Sequence, residues 1–269
     1  MTRPIFFVKG GSEKMRERIG LFVATPVHGQ VSMHYTSACL NLQETCLQQG
    51  IPIKFCLQQD SVLTQNRNRC VAQFLKTDET FTHFLFIDSD IYFHPQSILQ
   101  MIAVDREVIS MPYPQKHINY EAMFEQVKEG KIKSAEALRT AGYQYPVKVK
   151  NDQSILDKHG VMEISHAPTG TLLIQRHVFH KLIHAYPELK IKGNVKEPYY
   201  NFFDFYHDKE NQSYYGEDFG FSKLWSDLGG KVYAYIMDEV AHIGDHIYYG
   251  KMYDNLSYRR PINDEEVSS

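Results

Sequence analysis

The sequence predicts an α/β fold, with a mostly parallel, doubly wound sheet flanked by helices and a mixed C-terminal lobe. Three observations predict it. Apolar runs of strand length alternate with runs of helical spacing three times over before a fourth strand ends at Met111. Thr25-Pro26 and Asp88 follow two of those strands directly, and ligands in such sheets gather outside the carboxyl ends of the strands. The second half loses the alternation and reads as short strands mixed with helices.

Residues 19–24 are a buried-type strand, stopped by Thr25-Pro26. Residues 32–49 place Tyr35, Ala38, Leu42 and Cys46 at helical spacing, and Gly50 closes the helix. A strand follows over 51–57, a helix over 61–75 and a strand over 82–87 that runs into Asp88. Pro95 suits the first turn of a short helix. Residues 108–111 are the fourth strand. Residues 119–139 read as helical and solvated, and 147–150, 161–165 and 171–175 as short strands. A helix is expected over 177–185, an aromatic loop or strand pair over 198–207, a helix over 218–228 and a last strand over 231–236. The division is an arm (1–18), one domain (19–250) with a nucleotide-binding lobe (19–118) and an acceptor lobe (119–250), and a tail (251–269).

At 269 residues the chain has room for a substantial core. Its net charge of -3 leaves no basic face, so nucleic acid is not an expected partner. No apolar stretch approaches the length of a membrane span, and the run from Ile5 to Val8 is too short for a signal-peptide core. Cys39, Cys46, Cys56 and Cys70 form neither a CxxC pair nor a zinc-type spacing, which fits reduced core thiols and a cytoplasmic setting.

The chemistry centres on Asp88-Ser89-Asp90. Two carboxylates one residue apart at a strand end are expected to face one open crevice, and hard ions such as Mn²⁺ or Mg²⁺ take oxygen ligands of this kind. The competing reading is a solvated turn in which a carboxylate caps the next helix. Position after a buried strand in an alternating fold favours the ion site.

The segment Phe84-Leu85-Phe86-Ile87-Asp88-Ser89-Asp90-Ile91 resembles the DxD segment of GT-A-fold glycosyltransferases, whose sheet is Rossmann-like. The resemblance covers roughly residues 19–245 through short motifs in register. Gly20-Leu21-Phe22-Val23-Ala24-Thr25-Pro26 is similar to the first strand and donor loop of that family, which implies that Thr25, Pro26 and Val27 border the nucleotide. Asn66-Arg67-Asn68-Arg69 is placed like the helix that approaches base and ribose, which implicates Asn66, Arg67 and Arg69. Gly216-Glu217-Asp218 resembles the xED motif. The resemblance implies that Asp88 contacts ribose or metal beside Ser89, that Asp90 ligates the metal, and that Asp218 deprotonates the acceptor hydroxyl with Glu217 orienting the site. It also implies a late histidine in the metal shell: His242, with His246 as second choice.

Each role has a plainer counterpart. Glu217 and Asp218 also suit the start of a helix, where the dipole favours acids. Arg67 and Arg69, two apart on a helix, do not share a face, so one reaches the nucleotide while the other is solvated. Lys116, in the proline-bounded loop Met111-Pro112-Tyr113-Pro114-Gln115-Lys116, can pair with phosphate, and Tyr113 can pack on a sugar. Thr169 and Gly170 form a small-residue loop suited to the donor sugar, where glycine permits close backbone approach. Trp225 reads as core, and Tyr199-Tyr200-Asn201-Phe202-Phe203 as an acceptor platform or lid.

The expected activity is transfer of a sugar from a nucleotide-diphosphate sugar, a UDP-sugar first, to an acceptor hydroxyl on a glycan, lipid-linked or protein acceptor, with inversion. Three alternatives stand beside it: a retaining GT-A enzyme, a sugar nucleotidyltransferase, and an inactive nucleotide-sugar-binding module. The loop Thr25-Pro26-Val27-His28-Gly29-Gln30 has no lysine or arginine, which counts against the nucleotidyltransferase.

Overall fold

The computed structural model describes residues 19–148 and 156–259. The arm expected over 1–18, part of the strand expected over 147–150, and residues 260–269 of the tail lie outside them. The predicted alternation is present as β1 (Leu21–Val27), α1 (Met33–Gln48), β2 (Ile53–Gln59), α2 (Leu63–Leu75) and β3 (His83–Ile87). Next come β4 (Ile91–Tyr92), α3 (Pro95–Ala103), β5 (Val108–Ser110), α4 (Tyr120–Lys128) and α5 (Ala135–Ala141). The second half holds β6 (Val161–Ile164), β7 (Thr171–Gln175), α6 (Arg176–Ala185), β8 (Lys190–Ile191), β9 (Tyr199–Tyr200), β10 (Tyr206–Asp208) and β11 (Ser213–Tyr215). It ends with α7 (Glu217–Asp227), β12 (Val232–Tyr235), β13 (Val240–Ile243), β14 (Ile247–Gly250) and α8 (Met252–Arg259).

Seven strands form the main sheet in the order β2-β1-β3-β7-β5-β12-β6. β1 runs parallel to β2 and β3, and β5 parallel to β12. β7 opposes β3 and β5, and β6 opposes β12, so the sheet is mixed but mostly parallel. Both faces are covered, because alternate residues of a strand point to opposite sides. Phe22, Phe84 and Phe86 pack with Val71 and Phe74 of α2, Phe179 of α6 and Phe221 of α7. Leu21, Val23, Leu85 and Ile87 pack with Ala38 and Leu42 of α1 and Ile98 and Met101 of α3. The chain leaves β1 towards β2 on one side and then crosses to β3 on the other. The crevice between the ends of β1 and β3 is therefore a topological switch point.

Several elements differ from expectation for identifiable reasons. β1 does not stop at Thr25 but continues through Val27. Pro26 is tolerated there because β3 pairs with β1 only as far as Ala24. Leu21 and Val27 bond towards β2, Gly20 bonds towards β3, and the alternation aims Pro26 at the vacant side, where no N–H is needed. The helical stretch expected over 119–139 is made of two helices, α4 and α5, parted by a turn in which Gly130 has φ +71. Residues 252–259 of the expected tail form α8, whose Asn255 donates to the carbonyls of Thr140 and Tyr143. β12 is not the last strand. β13 and β14 follow and pair with β4 in a separate three-stranded sheet. Four-residue strands against a two-residue partner are too short to leave a periodic signal.

Candidate active site

The Asp88-Ser89-Asp90 turn is fastened on two sides. Asp88 N donates to Gly170 O at 3.0 Å, and Ser32 N donates to Ser89 O at 2.9 Å. The first bond ties the turn to the loop before β7, and the second ties it to the start of α1. Ser32 caps that helix, its Oγ accepting from Tyr35 N at 3.0 Å. Loops after β1 and β3 thus meet at the switch point.

The two aspartates have different partners. Both Asp88 oxygens accept from Arg67, from Nη1 at 3.0 Å and Nη2 at 3.2 Å. Arg67 Nε donates to Glu217 Oε1 at 3.0 Å, and the guanidinium lies 5.1 Å from the centre of the Phe86 ring. Only 3% of the Arg67 side chain is exposed. Burial works against its charge, but Asp88 and Glu217 together hold its pKa above the ordinary value. Arg67 therefore joins α2, the end of β3 and the start of α7 across 150 residues of sequence.

Asp90 turns elsewhere. Its Oδ2 accepts from Lys116 Nζ at 2.6 Å and lies 3.5 Å from His242 Nε2. Burial opposes the Asp90 charge, but the His242 and Lys116 contacts outweigh it and bring the pKa down to about 2. His242 belongs to a strand. It lies in β13 opposite Ile91 of β4, and Ile243 N donates to Asp90 O at 2.8 Å. Its Nδ1 is 2.9 Å from Pro114 O, a carbonyl that can only accept, so Nδ1 is the donor in that contact. The two carboxylates therefore do not share one open crevice as expected. Asp88 is committed to Arg67, and Asp90 stands with His242 and Lys116. Among the described residues no three or more His, Cys, Asp or Glu side chains gather as a metal site. Asp90 and His242 still make a chemically suitable pair for a divalent ion. They offer a carboxylate oxygen and an imidazole nitrogen whose partner nitrogen is held by a carbonyl, a common support for metal-bound histidine.

α7 brings in the remaining acids. It starts after Gly216 with no side-chain cap, and Asp218 Oδ1 accepts from Phe219 N at 2.9 Å. Asp218 is half-buried; desolvation, then the neighbouring Glu217 charge, raise its pKa. A raised carboxylate is a better proton acceptor at neutral pH.

Other expected residues divide. Val27 lines a cavity of about 490 Å³ at the ends of β1 and β2, with Gly29, Gln30, Val31, Leu57 and Gln59. Asn66 is buried and reaches Val27 O at 3.4 Å, so it holds the β1 end in place. Thr25 is fully buried with its hydroxyl 2.6 Å from Tyr35 OH, which removes it from any ligand-facing role. Pro26 is buried in β1. Arg69 pairs with Asp60 at the end of β2 and takes no part in the Asp88 cluster. Thr169 is buried, and Gly170 lies so close to Tyr113 that a Cβ there would fall 2.4 Å from Cε1. His246 meets Tyr248 edge-on rather than Asp90.

Tyr113 was expected to pack on a sugar, and Asn68 was not among the residues expected to bind. The Tyr113 ring meets His242 edge-on at 5.1 Å, and its pKa is raised first by burial and then by Asp88. It thus packs on the His242 half of the cluster and lies within the field of the Asp88 half. Asn68 clamps α2 to the aromatic loop: Nδ2 donates to Asn201 Oδ1 at 2.9 Å and Phe203 O at 3.0 Å, and Oδ1 accepts from Phe203 N at 2.9 Å. Phe202 and Phe203 are consequently core rather than an acceptor platform. A polar residue in a helix that faces a sheet was the available signal for Asn68.

Fold and site together define an α/β protein with an ionic cluster at the carboxyl ends of its parallel strands. No family model and no curated protein matches the chain. Solved structures that resemble it include A197 from STIV, with a TM-score of 0.46 and 16% identity over 84% of this chain and 86% of that one. A glycosyltransferase involved in glycosylation of the major capsid of PBCV-1 has a TM-score of 0.33 and 12% identity over 62% of this chain and 66% of that one. The 4-diphosphocytidyl-2C-methyl-D-erythritol synthase of Anaerococcus prevotii has a TM-score of 0.35 and 9% identity over 68% of this chain and 82% of that one. Likenesses at these levels leave the function of this chain to its own geometry.

Proposed function

We propose that the chain is a metal-dependent glycosyltransferase that moves a sugar from a nucleotide-diphosphate sugar to an acceptor hydroxyl with inversion. One observation carries the reading: Arg67 binds Asp88 and Glu217 at once, and so holds the half-buried Asp218 beside the turn that carries Asp90.

The cavity at the ends of β1 and β2 takes the nucleoside. Leu57 and Val31 supply apolar wall for a planar base, and Gln30 and Gln59 supply amides for its edge. No lysine or arginine lines it, which suits a base better than a triphosphate. UDP is the first nucleotide to test. Asp90 and His242 would hold Mn²⁺ or Mg²⁺, whose charge would offset that of the leaving diphosphate. Diphosphate oxygens and water would complete such a shell, as is common where the protein offers few ligands. Lys116 supplies a second positive charge at the same place. Asp218 accepts the proton of the acceptor hydroxyl as its oxygen attacks the anomeric carbon and the nucleoside diphosphate leaves. Asp88 is the orienting partner of Arg67.

A panel of UDP-, GDP- and dTDP-sugars with Mn²⁺, scored by thermal shift and by release of nucleoside diphosphate, tests this. Asp218→Asn is expected to retain donor binding and lose transfer, while Asp90→Ala loses metal-dependent release. NMR of the product's anomeric proton separates inversion from retention. Full transfer by Asp218→Asn, or no binding and no release with any donor, would refute the proposal.

A further inference from the structure

Asp90 already holds a cation belonging to the protein. Lys116 Nζ lies 2.6 Å from Asp90 Oδ2, and His242 Nε2 lies 3.5 Å from that same oxygen. The loop that carries Lys116 is fixed at its backbone: Gln115 N donates to Gln144 O at 2.8 Å, and Pro114 O contacts His242 Nδ1 at 2.9 Å. The lysine side chain is 39% exposed, so it has a way out to solvent while its backbone stays put. Its stem passes Gly244, where a Cβ would fall 3.2 Å from Lys116 Cδ, and glycine leaves that track uncrowded. An ammonium and a divalent ion cannot both sit on one carboxylate oxygen, because like charges at contact distance repel strongly in a partly desolvated site.

We propose that Lys116 is an exchangeable cation at Asp90: a divalent ion enters between Asp90 and His242 only as the ammonium leaves, and the freed ammonium then pairs with the diphosphate. This rests on the metal-dependent reading above. It follows that the protein without nucleotide binds a divalent ion weakly, and that ion and diphosphate load together. By linkage, each tightens the binding of the other.

The test uses the whole chain and Mn²⁺ alone, titrated without nucleotide and followed by the EPR signal of free Mn²⁺. Lys116→Met removes the competing charge and keeps the stem. It is expected to bind Mn²⁺ at least about tenfold more tightly than wild type, a factor equivalent to about 1.4 kcal/mol. Lys116→Met/Asp90→Asn is expected to lose that gain. UDP is expected to tighten Mn²⁺ binding more in wild type than in Lys116→Met. Thermal melts establish that each variant is folded, and Lys116→Gln replaces Lys116→Met if the latter is not. Mn²⁺ binding no tighter than wild type in a folded variant overturns the exchange. A tenfold gain in a protein that transfers no sugar supports the exchange and overturns only the transferase reading.

Discussion

Arg67→Met removes the fastening on which the site depends. The arginine gives three bonds, two to Asp88 and one to Glu217, from a side chain only 3% exposed. Methionine fills much of the stem volume and leaves both carboxylates without their cation. Glu217 is 13% exposed and Asp88 25%, so water reaches Asp88 more easily. Removing one partner of a buried pair costs about 3–5 kcal/mol, and the access to Asp88 places this case near about 3. For a chain of this size each kcal/mol moves Tm by about 2–4 °C, so the expected drop is about 6–12 °C. Urea denaturation followed by far-UV circular dichroism gives the free energy directly. Arg67→Lys keeps a charge but not the fork that reaches two carboxylates, and is expected to recover about half of the loss. Glu217→Gln in the Arg67→Met background should cost less than in wild type, with a coupling of about 1–3 kcal/mol. A loss below about 1 kcal/mol for Arg67→Met, or strict additivity with Glu217→Gln, would show that the triad does not hold α7 to β3.

Three further outcomes are expected. His83 and His166 are buried and have pKa values pushed down to about 4, chiefly by desolvation, with Asp105 opposing at His83 and His177 and Lys148 adding to the fall. Their ordinary value is 6.5, so between these limits the unfolded chain binds more protons; their contribution is complete above that window and is lost as pH falls through it. The urea midpoint should therefore fall between pH ~7 and pH ~5, and His83→Gln should flatten the slope; a midpoint indifferent to pH would contradict this. Asn68→Ala strands the buried Phe203 amide, which should cost about 2–3 kcal/mol and speed hydrogen exchange there; unchanged protection at Phe203 would count against the clamp. Gly170→Ala drives a Cβ to 2.4 Å from Tyr113 Cε1, and Tyr113→Ala should relieve much of the resulting loss in Tm, a rescue that fails if the two residues do not compete for space.

The alternation of β1 to β3 was legible because its period is strong and its segments are long enough to show it. Fully buried strands such as Phe84-Leu85-Phe86-Ile87 announce themselves as apolar runs. The antiparallel entry of β7 between β3 and β5 was not legible, since strand direction depends on contacts distant in sequence. Nor was the place of His242. Its neighbours Val240, Ala241 and Ile243 are a weak strand signal, and the pairing with Ile91 that aims the ring at Asp90 is tertiary. Arg67 was legible as one of two arginines on a helix. That it and not Arg69 turns inward follows from packing, with Phe86 under its guanidinium and two carboxylates at its fork.

The separation of Asp88 from Asp90 has a mechanical consequence. Asp88 stands one residue beyond β3, and its amide is bonded to Gly170 across the sheet, so its position is set by the core. Asp90 stands two residues further on, and its carbonyl is bonded to Ile243 of the small second sheet. One turn thus joins the main sheet to the small second sheet. Arg67 fixes the Asp88 side to α2 and α7, while among the described residues Lys116 and His242 are the charged or titratable groups contacting Asp90. A change at Asp88 should therefore register first as lost stability and a misplaced Asp218, whereas a change at Asp90, whose charge Lys116 and His242 favour, should cost some stability but register chiefly in ion binding. Asp88→Asn and Asp90→Asn compared in the same two assays, urea denaturation and Mn²⁺ titration, should show opposite orders of severity. Equal effects in both assays would mean that the two carboxylates act as one site after all.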